Sequence, residues 1–486
     1  MRDQYLYRLS HIGSVYHVNT PIDTILDIKR STTAKTSGLY LHASMQSIER
    51  WIIFMSNIFA LKGTIVYTPD VDHFVFRENC YLVCKNKKVE GIYSELPDEF
   101  KDVYVYDYGS NLIVPGMCDM HMHAPQYGFR GLGQNIENSD WSSWFSRYAF
   151  PDESRYADLE YAKKAYERLA NDLLHTTTTR FVAFSSLHRK ATELLMQIMA
   201  EKGFAAYIGK VNMDRNSMEG LIESTEESLN ETKLWLENTV GRYDLVKPII
   251  TPRYVPSCTD EVMEGLSKLM KEYNVPVQSH LSEGLDEIQW VMELKPDIQF
   301  YGQAYDQYDM FGTVVPTIMA HCVFSSEEEI ELLCNRNIWI AHCPNSNLGG
   351  SGTAAPILRY IRSGAKVCLG TDASGGNHLS LMRAISDAML ASKVRWAYTE
   401  RNGDPNATRD FLPLTSAFYL ATKGGGSFWG KVGSFEKDYE FDAVVLDDSR
   451  VADFCKRTTY ERVERMVTLS DDRDIAAKFI AGQKVL

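Results

Sequence analysis

The 486-residue chain lacks most of the short patterns that announce a metal or redox protein. Its nine cysteines are odd in number and scattered, and no Cys-x-x-Cys occurs. That excludes a zinc-finger pair and a thioredoxin-like site. There is no His-Glu-x-x-His, so a zincin protease is excluded. There is also no His-x-Glu combined with Pro-Cys-x-x-Cys, which excludes a cytidine-deaminase-type zinc site. The most prominent apolar run, Trp51–Leu61, has 11 residues, against the roughly 20 that a membrane-spanning helix needs. No apolar core of a secretory signal follows the N-terminus. No run of five like charges stands out, and 64 acidic against 51 basic residues give a formal charge of −13. An acidic, unpatterned surface argues against nucleic acid or an anionic membrane as the main partner. Several cysteines lie in apolar strand-like runs, where a thiol acts as a small buried hydrophobe. A reducing, cytoplasmic setting fits that usage.

What is present is length, apolar content and a change of rhythm. At 44% hydrophobic residues, the chain can bury one large α/β domain and a smaller one. Residues 1–50 are polar and weakly periodic and read as an extension of unknown role. Residues 51–112 hold short β-like runs separated by turn residues, such as Gly63–Tyr67, Tyr81–Cys84 and Val103–Tyr106. From 113 to 430, apolar strand-like runs alternate with longer helical stretches, the pattern of βα units and a parallel sheet. Eight such runs are expected as strands: Leu112–His123, Thr177–Phe184, Ala205–Val211, Val246–Tyr254, Val275–His280, Thr317–His321, Ile338–His342 and Lys366–Asp372. Helices are expected over Asp158–His175, Thr259–Tyr273, Glu327–Asn335 and Leu379–Lys393. Eight strands in one domain imply a closed (β/α)8, TIM-like barrel. An open doubly wound sheet is the alternative, but no Gly-x-Gly-x-x-Gly follows the first strand. Residues 431–486 return to β-like runs and are expected to join 51–112 in a small β-sandwich domain.

The chemistry is written at the strand ends. His121 and His123, in Asp119-Met120-His121-Met122-His123, are two apart and share a strand face. His280, His321, His342 and Asp372 end four further strands. In a barrel all strand C-termini open on one mouth. One such histidine is more often a satisfied core residue than a ligand. Several together argue for convergence, because buried imidazole and carboxylate are costly without partners. Three imidazoles and a carboxylate suit one Zn²⁺ or Fe²⁺ with a place left for water. No strand-ending lysine suggests a second, bridged metal. Glu283, three residues past His280, is placed to move protons or, alternatively, to cap the next helix.

These residues resemble the amidohydrolase superfamily in Pro115-Gly116, Asp119–His123, His280, His321 and Gly370-Thr371-Asp372. Longer stretches are similar to its guanine deaminase family: Ala124–Tyr127, Trp144 with Tyr148–Pro151, Gly209–Asn216, Thr251–Tyr254 and His342–Asn347. The resemblance runs from about residue 56 to the C-terminus. Tyr254 departs from the phenylalanine expected in much of that family, and Asn347–Gly352 is richer in glycine.

The resemblance implies that His121, His123, His280 and Asp372 ligate one zinc per chain, with ferrous iron as the other metal. It implies hydrolytic deamination of guanine to xanthine and ammonia, with hydroxide on the zinc attacking C2. Glu283 would shuttle protons, His321 and Asp372 would hold the attacking oxygen, and His342 is a more distant candidate. Gln126 and Arg253 would read the purine edge, and Tyr254 would pack on its face. Arg253 also reads as a structural ion-pair residue, Gln126 as a surface amide and Trp144 as packing. A homodimer is a further implication. Two alternatives stay open: an aminohydrolase or chlorohydrolase acting on another ring (a pterin, an adenine-type ring, cytosine or a triazine), and an inactive metal-binding scaffold.

Overall fold

Turn-separated apolar runs set the first strands: β1 (Ile58–Tyr67), β2 (Val75–Lys85), β3 (Lys88–Tyr93) and β4 (Tyr104–Pro115). The computed structural model describes residues 57–486 apart from 134, 136–140, 402–409 and 452–453. The expected 1–50 extension and the first part of the apolar run Trp51–Leu61 lie outside the described residues. β1 pairs antiparallel with β2 and parallel with β4. The chain then passes from β4 to the inner strand β5 (Met117–His123) through Gly116. A Cβ on Gly116 would lie 2.1 Å from Thr179 Oγ1, so the close approach of the two layers there requires glycine.

Eight parallel strand positions follow, each near its expected run. They are β5, β6 (Thr178–Phe184), β7 (Ala205–Gly209) with its short extension β8 (Val211–Asn212), β9 (Val246–Pro248) with β10 (Thr251–Pro252), β11 (Val277–Leu281), β12 (Thr317–His321), β13 (Ile338–His342) and β14 (Lys366–Leu369). The expectation of one continuous closed ladder needs correction. The ladders form two four-stranded sheets, β5-β6-β7-β9 and β11-β12-β13-β14, with the extensions β8 and β10 paired in a separate two-stranded one. Pro248 and Pro252 lack the N–H a ladder needs, so the fourth strand breaks in two. On that side Ile250 makes a backbone bridge between the sheets, donating to Pro276 O and accepting from Gln278 N, both at 2.9 Å. On the other side Asp372 N donates to His121 O (2.8 Å) and His123 N to Ala373 O (2.7 Å).

The helices follow ordinary rules. Leu159–Leu174 is capped by Asp158, whose side chain accepts from Glu160 N and Tyr161 N. It buries Ala162, Tyr166, Leu169, Ala170 and Leu173, the i, i+4, i+7 stripe of a core-facing helix. Inside the ring of strands, Cys118, Met120, Val182, Ile318, Ala320, Ala341 and Cys368 pack together. Met117, Met122, Phe181, Ala183, Ile338 and Ile340 face the helical layer.

The C-terminal strands are β15 (Ala443–Leu446), β16 (Ile475–Ile480) and β17 (Gln483–Lys484). As expected, they join the strands before the barrel. They do so in one hydrogen-bonded strand order, β17-β16-β15-β4-β1-β2-β3. The reason is pairing: β15 takes the free edge of β4, so the later strands widen the first sheet. No helix among the described residues is long and apolar enough to cross a membrane.

Candidate active site

β5 carries the first two histidines into the mouth by breaking its own alternation. Below, Cys118 and Met120 face the ring interior, which would turn His121 outward. The β5–β6 register shifts between Asp119 and Met122. That bulge re-aims the strand, so Met122 faces the helices and His121 and His123 face the mouth. Asp119 holds the bulge. Its carboxylate accepts from Thr371 N (2.9 Å) and Thr371 Oγ1 (2.6 Å), and it is fully buried. Burial pushes its pKa up to about 7, against the hydrogen bonds from Thr371.

His280 reaches the mouth by simple alternation on β11. His321 and Asp372 reach it by left-handed backbone, at φ 75° and 49°. Such conformations cost non-glycine residues energy and concentrate at functional sites.

The four residues expected to hold a metal come together. His121, His123 and His280 place ligand atoms within 4.8 Å of one another. His123 Nε2 and His280 Nε2 are 3.1 Å apart. Asp372 Oδ1 is 3.3 Å from His121 Nε2 and 3.6 Å from His123 Nε2. Two nitrogens about 2.1 Å from one tetrahedral zinc stand roughly 3.4 Å apart, so these spacings suit a shared ion. The tautomers agree. His280 Nδ1–H donates to Arg253 O at 2.6 Å, which leaves its Nε2 lone pair facing His123. His121 Nε2 is buried without a hydrogen-bond partner among the described residues. Burial, reinforced by the neighbouring imidazoles, holds the pKa of His123 and His280 well below the usual value. Both rings are therefore neutral, as ligation requires. Burial also favours protonating Asp372, but the adjacent His121 outweighs it and keeps the carboxylate below its usual range.

Beside this cluster, His321 Nδ1–H donates to Asn347 Oδ1 at 2.9 Å and stands 3.4 Å from Glu283 Oε1. Burial, with the charges of Asp372 and Glu287 nearby, raises the Glu283 pKa well above normal. Helix capping, the other reading of Glu283, falls to Glu287, whose side chain accepts from Glu283 N and Gly284 N.

The cluster opens into a cavity of about 580 Å³ lined by His123, Gln126, Trp144, Arg253, Tyr254, His280, Glu283, Trp290, His321 and Asp372, among others. Gln126 and Arg253 meet there on a shared carboxylate, Glu153. Tyr254 turns its ring edge-on to Trp290, with centroids 6.2 Å apart.

Comparison with known proteins agrees with this geometry. Residues 112–485 match the family model described as "Amidohydrolase family". The chain belongs to the amidohydrolase family. It is 36% identical to guanine deaminase of Dictyostelium discoideum, covering 87% of this chain and 97% of that protein. It is 33% identical to guanine deaminase of Mus musculus, covering 88% and 92%. A crystal structure of guanine deaminase from C. acetobutylicum with bound guanine in the active site superposes with a TM-score of 0.84 at 42% identity, covering 88% of this chain and 100% of that one. By this lineage the chain is an enzyme, and its resemblance to the guanine deaminases holds along most of its length.

For an amidohydrolase, two parts of the site escaped sequence reasoning. Glu153 lies two residues beyond the quoted stretch Tyr148–Pro151, and a buried acidic residue in a helical segment carries no pattern of its own. Asn347 ends the quoted His342–Asn347, yet its role as the acceptor for His321 shows only in space. His342 is not brought to the mouth. It follows Ile338 and Ile340 on the helix-facing side of β13 and does not line the cavity. Burial, with His321 nearby, takes its pKa down to about 3.

Proposed function

We propose that this protein hydrolyses guanine to xanthine and ammonia. The carrying observation is one buried centre of three imidazoles and a carboxylate opening directly onto a cavity that holds an amide and a guanidinium. The 42% identical guanine-bound relative supports the choice of ring.

His121, His123, His280 and Asp372 would hold one divalent ion, with zinc favoured by the imidazole-rich set. When bound, zinc supplies a water acidified to near neutrality. The rest is the work of side chains. His321, fixed by Asn347, and Asp372 orient the attacking oxygen toward C2. Glu283 takes the water's proton and passes protons to a ring nitrogen and to the departing amine. A C2–O bond forms, the C2–N bond to the amino group breaks, and ammonia leaves. A carboxyl with a raised pKa is suited to that two-way traffic. Gln126 and Arg253 read the purine edge, with Tyr254 and Trp290 as aromatic walls.

The test is an ultraviolet assay of guanine conversion to xanthine, with metal analysis on the same sample. A panel with a pterin, adenine, cytosine and a triazine runs beside it. Guanine as the best substrate with about one metal per chain is the expected result. Stoichiometric metal with no ammonia from any ring overturns the enzymatic reading, and a different best substrate overturns the choice of guanine.

A further inference from the structure

We infer that Glu153 is a positioning residue that fixes which end of the Gln126 amide faces the substrate. The site thereby selects the purine form that offers an imidazole N–H to Gln126. This rests on the guanine reading and extends it to one tautomer and one residue outside the metal cluster.

Glu153 is 0% exposed and Gln126 and Arg253 are 1–2% exposed. Gln126 Nε2 donates to Glu153 Oε1 at 2.7 Å. Arg253 Nη1 donates to Oε2 at 2.8 Å and to Oε1 at 3.0 Å, and Arg253 Nη2 to Oε1 at 3.1 Å. A carboxylate can only accept, so the amide must turn its NH₂ group toward Glu153. The orientation follows from the network. Its consequence is that Gln126 Oε1 is buried with no hydrogen-bond partner among the described residues, in a side chain that lines the cavity. A buried acceptor left unmatched is a standing demand for a donor.

Arg253 is held as firmly. Phe145 and Phe150 lie against its guanidinium at 5.3 and 5.5 Å. Glu153 uses only part of its five N–H groups. The remaining N–H groups ask for an acceptor and Gln126 asks for a donor.

The reaction decides which donor. C2 must approach the metal cluster, so N1 and N3, which flank it, lie within the reach of Glu283 for proton transfer. The N–H left for Gln126 is the one on the imidazole ring. Guanine carries that proton on N7 or N9, and a fixed acceptor favours one of the two.

Deaza analogues read this without added bulk. 7-Deazaguanine carries its N–H at position 9, and 9-deazaguanine carries it at position 7. Inhibition constants are measured against guanine turnover on the metal-loaded enzyme. The parent is expected to prefer one analogue by about tenfold or more, the worth of one hydrogen bond. In Glu153→Gln the new amide can donate to Gln126 Oε1 and release the orientation. The preference then falls to within about threefold, and KM for guanine rises more than kcat falls. Should that variant fail to fold, Gln126→Leu removes the acceptor, leaves the Glu153–Arg253 pair, and is expected to erase the preference too. A purely structural Glu153 would alter both analogues in proportion. Equal inhibition of the parent by both analogues overturns the inference, as does a preference that survives in the variants. A metal-loaded parent that makes no xanthine instead overturns the guanine reading itself, and this inference with it.

Discussion

Two arginine–carboxylate pairs are buried at opposite ends of the barrel, and they differ in what they leave over. At the floor, Arg180 donates through Nε to Asp442 Oδ2 (2.7 Å) and through Nη2 to Asp442 Oδ1 (3.2 Å), and it also pairs with Glu440. Asp442 takes further hydrogen bonds from Thr179 Oγ1 (3.2 Å) and Ala481 N (2.7 Å). Both of its oxygens are used, and the pair ties the start of β6 to the segment entering β15. At the mouth, Glu153 binds Arg253 and Gln126, and the trio keeps an unmatched acceptor and spare donors beside a cavity. Burial alone does not separate the two, since Arg180 and Arg253 are each 2% exposed. The unmatched acceptor of a cavity-lining side chain, Gln126 Oε1, does. On our proposal the floor pair holds the fold, and at the mouth the Gln126 acceptor that Glu153 orients awaits a ligand donor.

If that division is right, substitutions at the mouth change kinetics with the fold intact, and substitutions at the floor do the reverse. The largest effect is expected from Glu283→Gln. It keeps shape and leaves the metal cluster untouched, so metal content holds while kcat falls about 10²- to 10⁴-fold. Steady-state kinetics with metal analysis decides it, and a kcat within a few-fold of the parent removes Glu283 from proton transfer. Next comes Arg180→Met at the floor. It leaves Asp442 and Glu440 without their cation, and breaking a buried pair costs about 3–5 kcal/mol. The urea midpoint should drop accordingly, with KM for guanine unchanged in the folded fraction. A KM shift there would blur the floor–mouth distinction.

Arg253→Lys sharpens the same contrast. It keeps a positive charge against Glu153 and loses the planar fork. KM for guanine should rise about tenfold or more, with metal content and melting temperature close to the parent. Equal damage to stability and to KM would move Arg253 to the structural class and align the two ends of the barrel.

How far sequence could see follows the same division. The eight strand positions and the convergence of His121, His123, His280 and Asp372 were legible because strand periodicity and chain order carry them. His280 needed only alternation. His121 needed a bulge, and His321 and Asp372 needed left-handed backbone, which no composition rule announces. The proline breaks in the fourth strand were visible as letters, but their effect on the ladder required the neighbouring strand. Glu153 was illegible because its meaning comes entirely from partners 27 and 100 residues away. The strand order of the small sheet was illegible for a related reason: strand runs declare themselves locally, and only pairing places β15 beside β4.

The smallest predicted effect tests a second buried cation near the floor that has no carboxylate partner among the described residues. Lys478 is fully buried, and its ammonium donates only to carbonyls, Leu173 O at 2.7 Å and Thr178 O at 2.9 Å. Leu173 lies in the last turn of its helix, where carbonyls lack partners and a cation is favoured. Burial nevertheless lowers the Lys478 pKa well below 10.5. In the pH range between the folded and unfolded values, the unfolded chain holds the proton that the folded chain has released. Stability therefore rises with pH through that range and levels off above about 10.5. Lys478→Met removes the titrating group and should flatten the rise in urea midpoint between about pH 8 and 10. Guanine kinetics should stay unchanged, because Lys478 does not line the mouth cavity. An unaltered pH slope would mean that the Leu173 and Thr178 carbonyls fully offset the burial of this charge, and the floor would then hold two satisfied cations.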